Sequence, residues 1–241
     1  MIKHALMLAA AVLVAGCTSG PSQTTDNAVG GPNVVSTTGT PLAKGATSLP
    51  LDWGSKGQAG QVAIADVLTY GGNGTKITAP TGWQSIRDDS TTTTRQSLYW
   101  HAIQANEPST ATWTFSEPVD AQGAVVLLDN ATPGGPVDMT TGNSGNGGTV
   151  TAKSVATVAD GDLIIAFFAS DFSSPGLGPT LPPNVNTLTN QESTRGEYWI
   201  VANYQSQNGN TDDLVSTSGQ SFNWVAAQVA IKRAAAPSSA P

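Results

Sequence analysis

A single cysteine, two histidines and 11% charged residues leave this chain of 241 residues short of most of what proteins use for covalent bracing and acid–base chemistry. One cysteine makes no internal disulfide, so the core has to hold by packing alone. Two histidines and one thiol do not supply the Cys/His sets that close structural zinc sites. Lys and Arg number 10 against 17 Asp and Glu and are scattered, with Lys232-Arg233 the one adjacent pair. That argues against nucleic acid, whose phosphates call for a basic stripe. No apolar run reaches the roughly 20 residues that a membrane-crossing helix needs. Helical periodicity is almost missing, and there is neither a Gly-x-Ser-x-Gly elbow nor a Ser-x-x-Lys dyad. The Gly-rich segments at 71–74 and 142–148 match no phosphate-binding fingerprint.

What is present begins at the amino terminus. Residues 1–16 have the build of a signal peptide: Lys3 with His4 beside it, an apolar stretch over 5–14, then the small residues Ala15 and Gly16. Val14-Ala15-Gly16-Cys17 resembles the lipobox of bacterial lipoproteins. The resemblance implies cleavage between Gly16 and Cys17, a diacylglyceryl group on the Cys17 sulfur, and acylation of the new amino terminus. Two or three acyl chains anchor stably where one holds marginally. Thr18, rather than Asp, follows the cysteine, which by the family's sorting rule implies the outer membrane in a two-membrane cell. The alternative is an ordinary secretory signal with an incidental cysteine. Without the leader, Lys3 is lost, the basic count falls from 10 to 9 against 17 acids, and the net charge moves from −7 to −8. His101 is then the only histidine.

Composition divides the rest. Residues 17–47 are expected to be the lipidated cysteine and a flexible Ser/Thr/Gly/Pro tether, 48–233 a β-sandwich domain, and 234–241 a disordered tail. Within 48–233 short Val/Ile/Thr/aromatic segments alternate with Gly, Pro, Asn and Asp, which predicts strands at 48–51, 61–70, 83–88, 95–103, 110–115, 121–128, 149–155, 162–169, 185–188, 197–204, 213–217 and 223–231. The pattern repeats. Gly60-Gln61-Val62 returns as Gly161-Asp162-Leu163, Pro80-Thr81-Gly82-Trp83 is echoed by Pro182-Pro183-Asn184-Val185, Tyr99-Trp100 returns as Tyr198-Trp199, and Ala124 to Leu128 is answered by Ala227 to Ile231. Four matches in one order indicate an internal duplication, with half-repeats of about 48–135 and 149–233. The predicted fold is all-β: one antiparallel, jelly-roll-like sandwich built from both halves, or two tandem Ig-like sandwiches. The runs at 61–70 and 162–169 are apolar on both alternating faces and want cover on two sides. A single sandwich is favoured because only the Gly/Asn-rich loop 142–148 separates the halves.

Gly60-Gln61-Val62, Ile77 to Trp83, Glu107-Pro108-Ser109, Thr112 to Phe115, Gly161-Asp162-Leu163 and Trp224 to Ala227 together resemble a module of secreted bacterial and phage-associated proteins. The resemblance implies an extracellular β-sandwich and supplies no site residues.

Catalysis has little to work with. His101 is the one available base, in an alternating strand where a cross-strand role is ordinary. The acidic pairs Asp88-Asp89, Asp160 with Asp162, and Asp212-Asp213 lie among turn residues, where Asp bonds its own backbone. Asp160-Gly161-Asp162 offers two oxygens to a calcium ion, but the twelve-residue loop pattern is missing. Trp100, Trp113, Trp199 and Trp224 lie inside strands and are expected in the core. Trp53 and Trp83, at turns, are the candidates for a ligand-binding surface. The sequence therefore leads to a membrane-anchored surface lipoprotein of the cell envelope, its domain outside the cytoplasm. That domain is a non-enzymatic binding or structural module without cofactor or metal. Its partners would be membrane lipid through Cys17, and a glycan or envelope protein. The alternative is a carbohydrate-binding or weakly carbohydrate-active protein using Trp53 or Trp83 with an acidic pair.

Overall fold

The computed structural model describes residues 30–235, except 55–56, 72–73, 172–179, 181–182, 184 and 206. Gly16, Cys17 and the rest of the leader lie outside the described residues, as does the tail beyond Ala235. Thirteen strands carry the fold, and among the described residues there is no helix. In chain order they are β1 (Asn33–Asp52), β2 (Val62–Tyr70), β3 (Ile77–Thr78), β4 (Gln84–Ser90), β5 (Thr94–Ala102), β6 (Thr110–Asp129), β7 (Val137–Ala152), β8 (Ala156–Thr157), β9 (Asp162–Ser170), β10 (Asn186–Glu192), β11 (Glu197–Gln205), β12 (Gly209–Asn210) and β13 (Leu214–Ile231).

The duplication takes a simple form: each copy makes its own sheet. The first runs β1-β6-β2-β5-β4, with β3 added to β6; the second runs β10-β11-β9-β13-β7, and all pairing is antiparallel. Val62 sits between Ala102 and Leu128 as Leu163 sits between Tyr204 and Ile231. The two sheets face each other across a shared core in which Val62, Ile64 and Leu68 meet Ile165, Phe167 and Val229. Edge strands β1 and β4 lie over β10 and β7 respectively. The copies are therefore related by a pseudo-twofold running along the central strands.

β2 and β9 are buried at every residue, as their two-sided apolar runs require. Their inner faces meet the other sheet, and their outer faces are covered by their own copy. β6 and β1 are twenty residues each, and register shifts between Thr40 and Ser48 let the pair bend over the outer face. Leu49, Leu51, Trp113 and Phe115 thus pack on Ala63, Ala65 and Val67. In the second copy β13 and β7 bend in the same way, and Val150, Phe222 and Trp224 cover Ala166 and Phe168. Each copy is a sheet with a folded-over hairpin, and the two are fused through the inter-sheet core.

Three boundaries differ from the sequence-based expectation. β1 begins at Asn33, so residues 33–47 are an edge strand rather than part of the tether. The 142–148 segment is the middle of β7 rather than a loop, so the second copy starts at Val137 rather than at 149. The expected separate strands 110–115 and 121–128 are one bent strand, as are 213–217 and 223–231. Edge strands with one half-buried face need no large apolar residues, so Thr, Ser and Gly suffice there. The Tyr-Trp echo also differs from the structural equivalence. Tyr99 belongs to the outer layer while Tyr198 is in the inter-sheet core. By register Trp100, opposite Gln84, corresponds to Ala202, opposite Asn186.

Candidate functional site

Trp53 and Trp83 are buried, at 4% and 9% exposure, so neither offers a free face. In the turn before β4, the Trp83 amide donates to the Pro80 carbonyl (3.2 Å), with Gly82 at φ +90°. Only glycine takes that backbone without strain, and it turns the indole inward. There Trp83 meets Trp113 edge-on at 4.8 Å and Trp53 at 6.0 Å.

His101 stacks on Trp83 at 5.3 Å. Its Nδ1 lies 3.0 Å from the Gly82 carbonyl oxygen, and its Nε2 is 3.0 Å from both oxygens of Glu107. One ring nitrogen is thus engaged by backbone and the other by a carboxylate side chain. A base oriented by a carboxylate is two thirds of a nucleophilic triad, but here the remaining nitrogen is taken by backbone. Neither ring nitrogen faces a nucleophile.

Around the end of β5 the chain opens instead. A groove of about 530 Å³ is lined by Gln84, Trp100, His101, Gln104, Pro133 and Gly134, a volume within the range of small-ligand sites. Trp100 is half-buried, one side packed on the inter-sheet core. Gln84 is its direct cross-strand neighbour and Gln104 is exposed, its Nε2 donating to the Ala102 carbonyl at 2.7 Å. The segment after β6 supplies the other wall. Sequence reasoning assigned Trp100 to the core because it lies inside a strand; the signal it missed was the place of Trp100 two residues before the end of β5.

The groove sits at the pole where the described chain enters and leaves. Asn33 pairs with Asp129 there, the Tyr204 hydroxyl donates to the Pro32 carbonyl (3.0 Å), and the Ala234 amide donates to Asn130 (2.6 Å).

The acidic pairs are taken apart by their partners. Neighbours on a strand point to opposite faces: Asp88 takes Arg95 and Asp89 takes Arg87, each at 2.5 Å. Asp160 accepts from the Asn208 amide at 2.7 Å. Asp162 is buried beside Asp138, and burial, then that neighbour, pushes its carboxyl up to about 7. Lys153 holds exposed Asp213 below the usual carboxylate range. Among the described residues no group of three His, Cys, Asp or Glu is placed to hold a metal ion, and no helix is long and apolar enough to cross a membrane.

One further carboxylate lies deep between the sheets. Asp66 is fully buried and accepts one bond, from Gln96 Nε2 at 3.0 Å, and burial pushes it up to about 8. Tyr198, whose hydroxyl donates to the Gly123 carbonyl at 2.8 Å, stands nearby. Glu197, buried opposite Glu192, is likewise pushed up to about 7, by burial first and then by that acid. Neither Asp66 nor Glu197 lines the groove.

Compared with known proteins, the chain matches no family model, no curated protein and no solved structure.

Proposed function

We propose that this is an envelope lipoprotein whose sandwich is a non-enzymatic binding module, held to the membrane through acylated Cys17 and presenting the groove beside Trp100. The observation that carries the non-enzymatic reading is the state of His101: its two nitrogens are spent on Gly82 and Glu107. The separation of the acidic pairs among arginine, lysine and backbone partners supports it further. With Trp53 and Trp83 inside the outer layer, a ligand would be received by Trp100 instead. The anchor reading rests on Val14-Ala15-Gly16-Cys17.

Growth with labelled palmitate tests the anchor. The label is expected in the wild-type chain and missing from Cys17→Ala, which should move from the membrane to the soluble fraction. A wild type that stays unlabelled refutes the anchor. A hydrolytic turnover that survives purification and disappears in His101→Ala would refute the non-enzymatic reading.

A further inference from the structure

The groove carries more information than its presence. Its lining includes an indole, two amide side chains and the side-chain-free edge of Gly134 and Gly135. Its only ionisable side chain, His101, already faces a carboxylate, Glu107. Such a surface offers no charge to an ionic ligand. It offers the open part of a half-buried indole beside two amide side chains, which suits ligands having one apolar face and polar edges. Gln84 stands directly across the ladder from Trp100, close enough for both to touch one ring. Gln104 spends its amide nitrogen on Ala102, leaving its oxygen as an acceptor. The second copy lacks this platform, since Ala202, the counterpart of Trp100, is a buried alanine. Among the described residues the platform is therefore present in one copy of the duplicated scaffold only.

We propose that this groove binds an uncharged glycan, one pyranose ring stacked on Trp100 and its hydroxyl or acetamido groups bonded by Gln84 and Gln104. The proposal rests on the binding-module reading and names its ligand class. It also sets an orientation. Groove and described amino-terminal end share one pole, and the fifteen residues 18–32 reach at most about 50 Å. An anchored domain would thus present the groove to glycan near its own membrane.

The test is titration calorimetry of the soluble Cys17→Ala chain with triacetylchitotriose and maltotriose, alongside an anionic galacturonate trimer and a proline-rich decapeptide. The informative variants are Trp100→Ala and Gly134→Leu. A Cβ at Gly134, on the groove wall, meets no atom within 4 Å, so leucine there adds bulk beside the groove without disturbing the core, and its melting temperature checks this. One neutral trisaccharide should bind at a single site, and both variants should weaken it at least about tenfold, or about 1.4 kcal/mol. No binding of either neutral sugar, or binding that both variants leave unchanged, overturns the glycan site. Binding of the peptide or the anionic trimer in place of the neutral sugars overturns the ligand class while leaving a binding module. Failure of palmitate labelling alone removes the anchor and leaves the glycan site standing.

Discussion

Replacing Asp66 by Asn should stabilise this protein at neutral pH and remove much of its pH dependence. The carboxyl lies between the two sheets with no exposed surface, and its Oδ1 has no partner. Gln96 donates to Oδ2 at 3.0 Å, and the Oε1 of that same amide is also unpartnered. A proton on Oδ1 lets Asp66 donate in turn, whereas an ionised carboxylate is a charge in an apolar core with one hydrogen bond. Burial accordingly raises the group from 3.8 to about 8. The sign follows from proton counts. Between these values the unfolded chain has released the proton and the folded chain keeps it, so stability falls as pH rises. It is full below about 4, declines by about 1.4 kcal/mol per pH unit, and levels off above about 8. At pH 7 the accumulated loss is of order 4 kcal/mol, a large part of a typical domain's stability. Asn keeps the shape, accepts from Gln96 and can donate back, without a charge to bury. Urea unfolding of both proteins from pH 4 to 9 tests this. The two should agree near pH 4 to within about 1 kcal/mol and diverge steadily towards pH 8. Asp162 and Glu197, each raised to about 7, tilt both curves in the same direction, so the difference between the curves isolates Asp66. Parallel curves, or an Asn variant less stable than the wild type at pH 7, would refute the reasoning.

Three further outcomes follow from packing. A Cβ at Gly39 collides with Gln191 and Tyr198, and one at Gly142 with Arg87 and Asp89. Gly39→Val has to displace Gln191 and the buried Tyr198 hydroxyl, and Gly142→Val the Arg87–Asp89 pair, so each should cost about 1 kcal/mol or more in chemical denaturation, while Gly219→Ala, facing open space, should stay within about 0.5 kcal/mol. Trp113→Ala empties the centre of the outer layer, where the ring is fully buried, and should lower stability by about 3–5 kcal/mol. His101→Ala removes the group that links Glu107 to the Gly82 turn. It should cost about 1–3 kcal/mol and shift tryptophan fluorescence through loss of the stack on Trp83.

How much of this was legible in the sequence turns on what each position had to carry. The central strands were plain because both faces of 61–70 and 162–169 are buried and most of their residues are apolar on both, although Asp66 and Asp162 are buried too. The duplication was legible where both copies meet the same demand, as at Ala124 to Leu128 and Ala227 to Ile231. The Tyr-Trp echo misled because strand faces alternate: the same dipeptide at Tyr99 and Tyr198 sits one face apart. Tryptophans at turns looked exposed and one inside a strand looked buried. Yet a glycine turn folds Trp83 inward, and the end of β5 leaves Trp100 half open. The hardest pieces were β1 before residue 48 and β7 across 142–148, which read as tether and loop for want of large side chains. By register, Gly39 opposite Ala124 is the counterpart of Gly142 opposite Ala227. At both, an added Cβ would press on side chains of the facing sheet, Gln191 and Tyr198 at Gly39 and Arg87 and Asp89 at Gly142. Small residues that look like flexibility are there because packing demands them, and the duplication puts that demand in both copies.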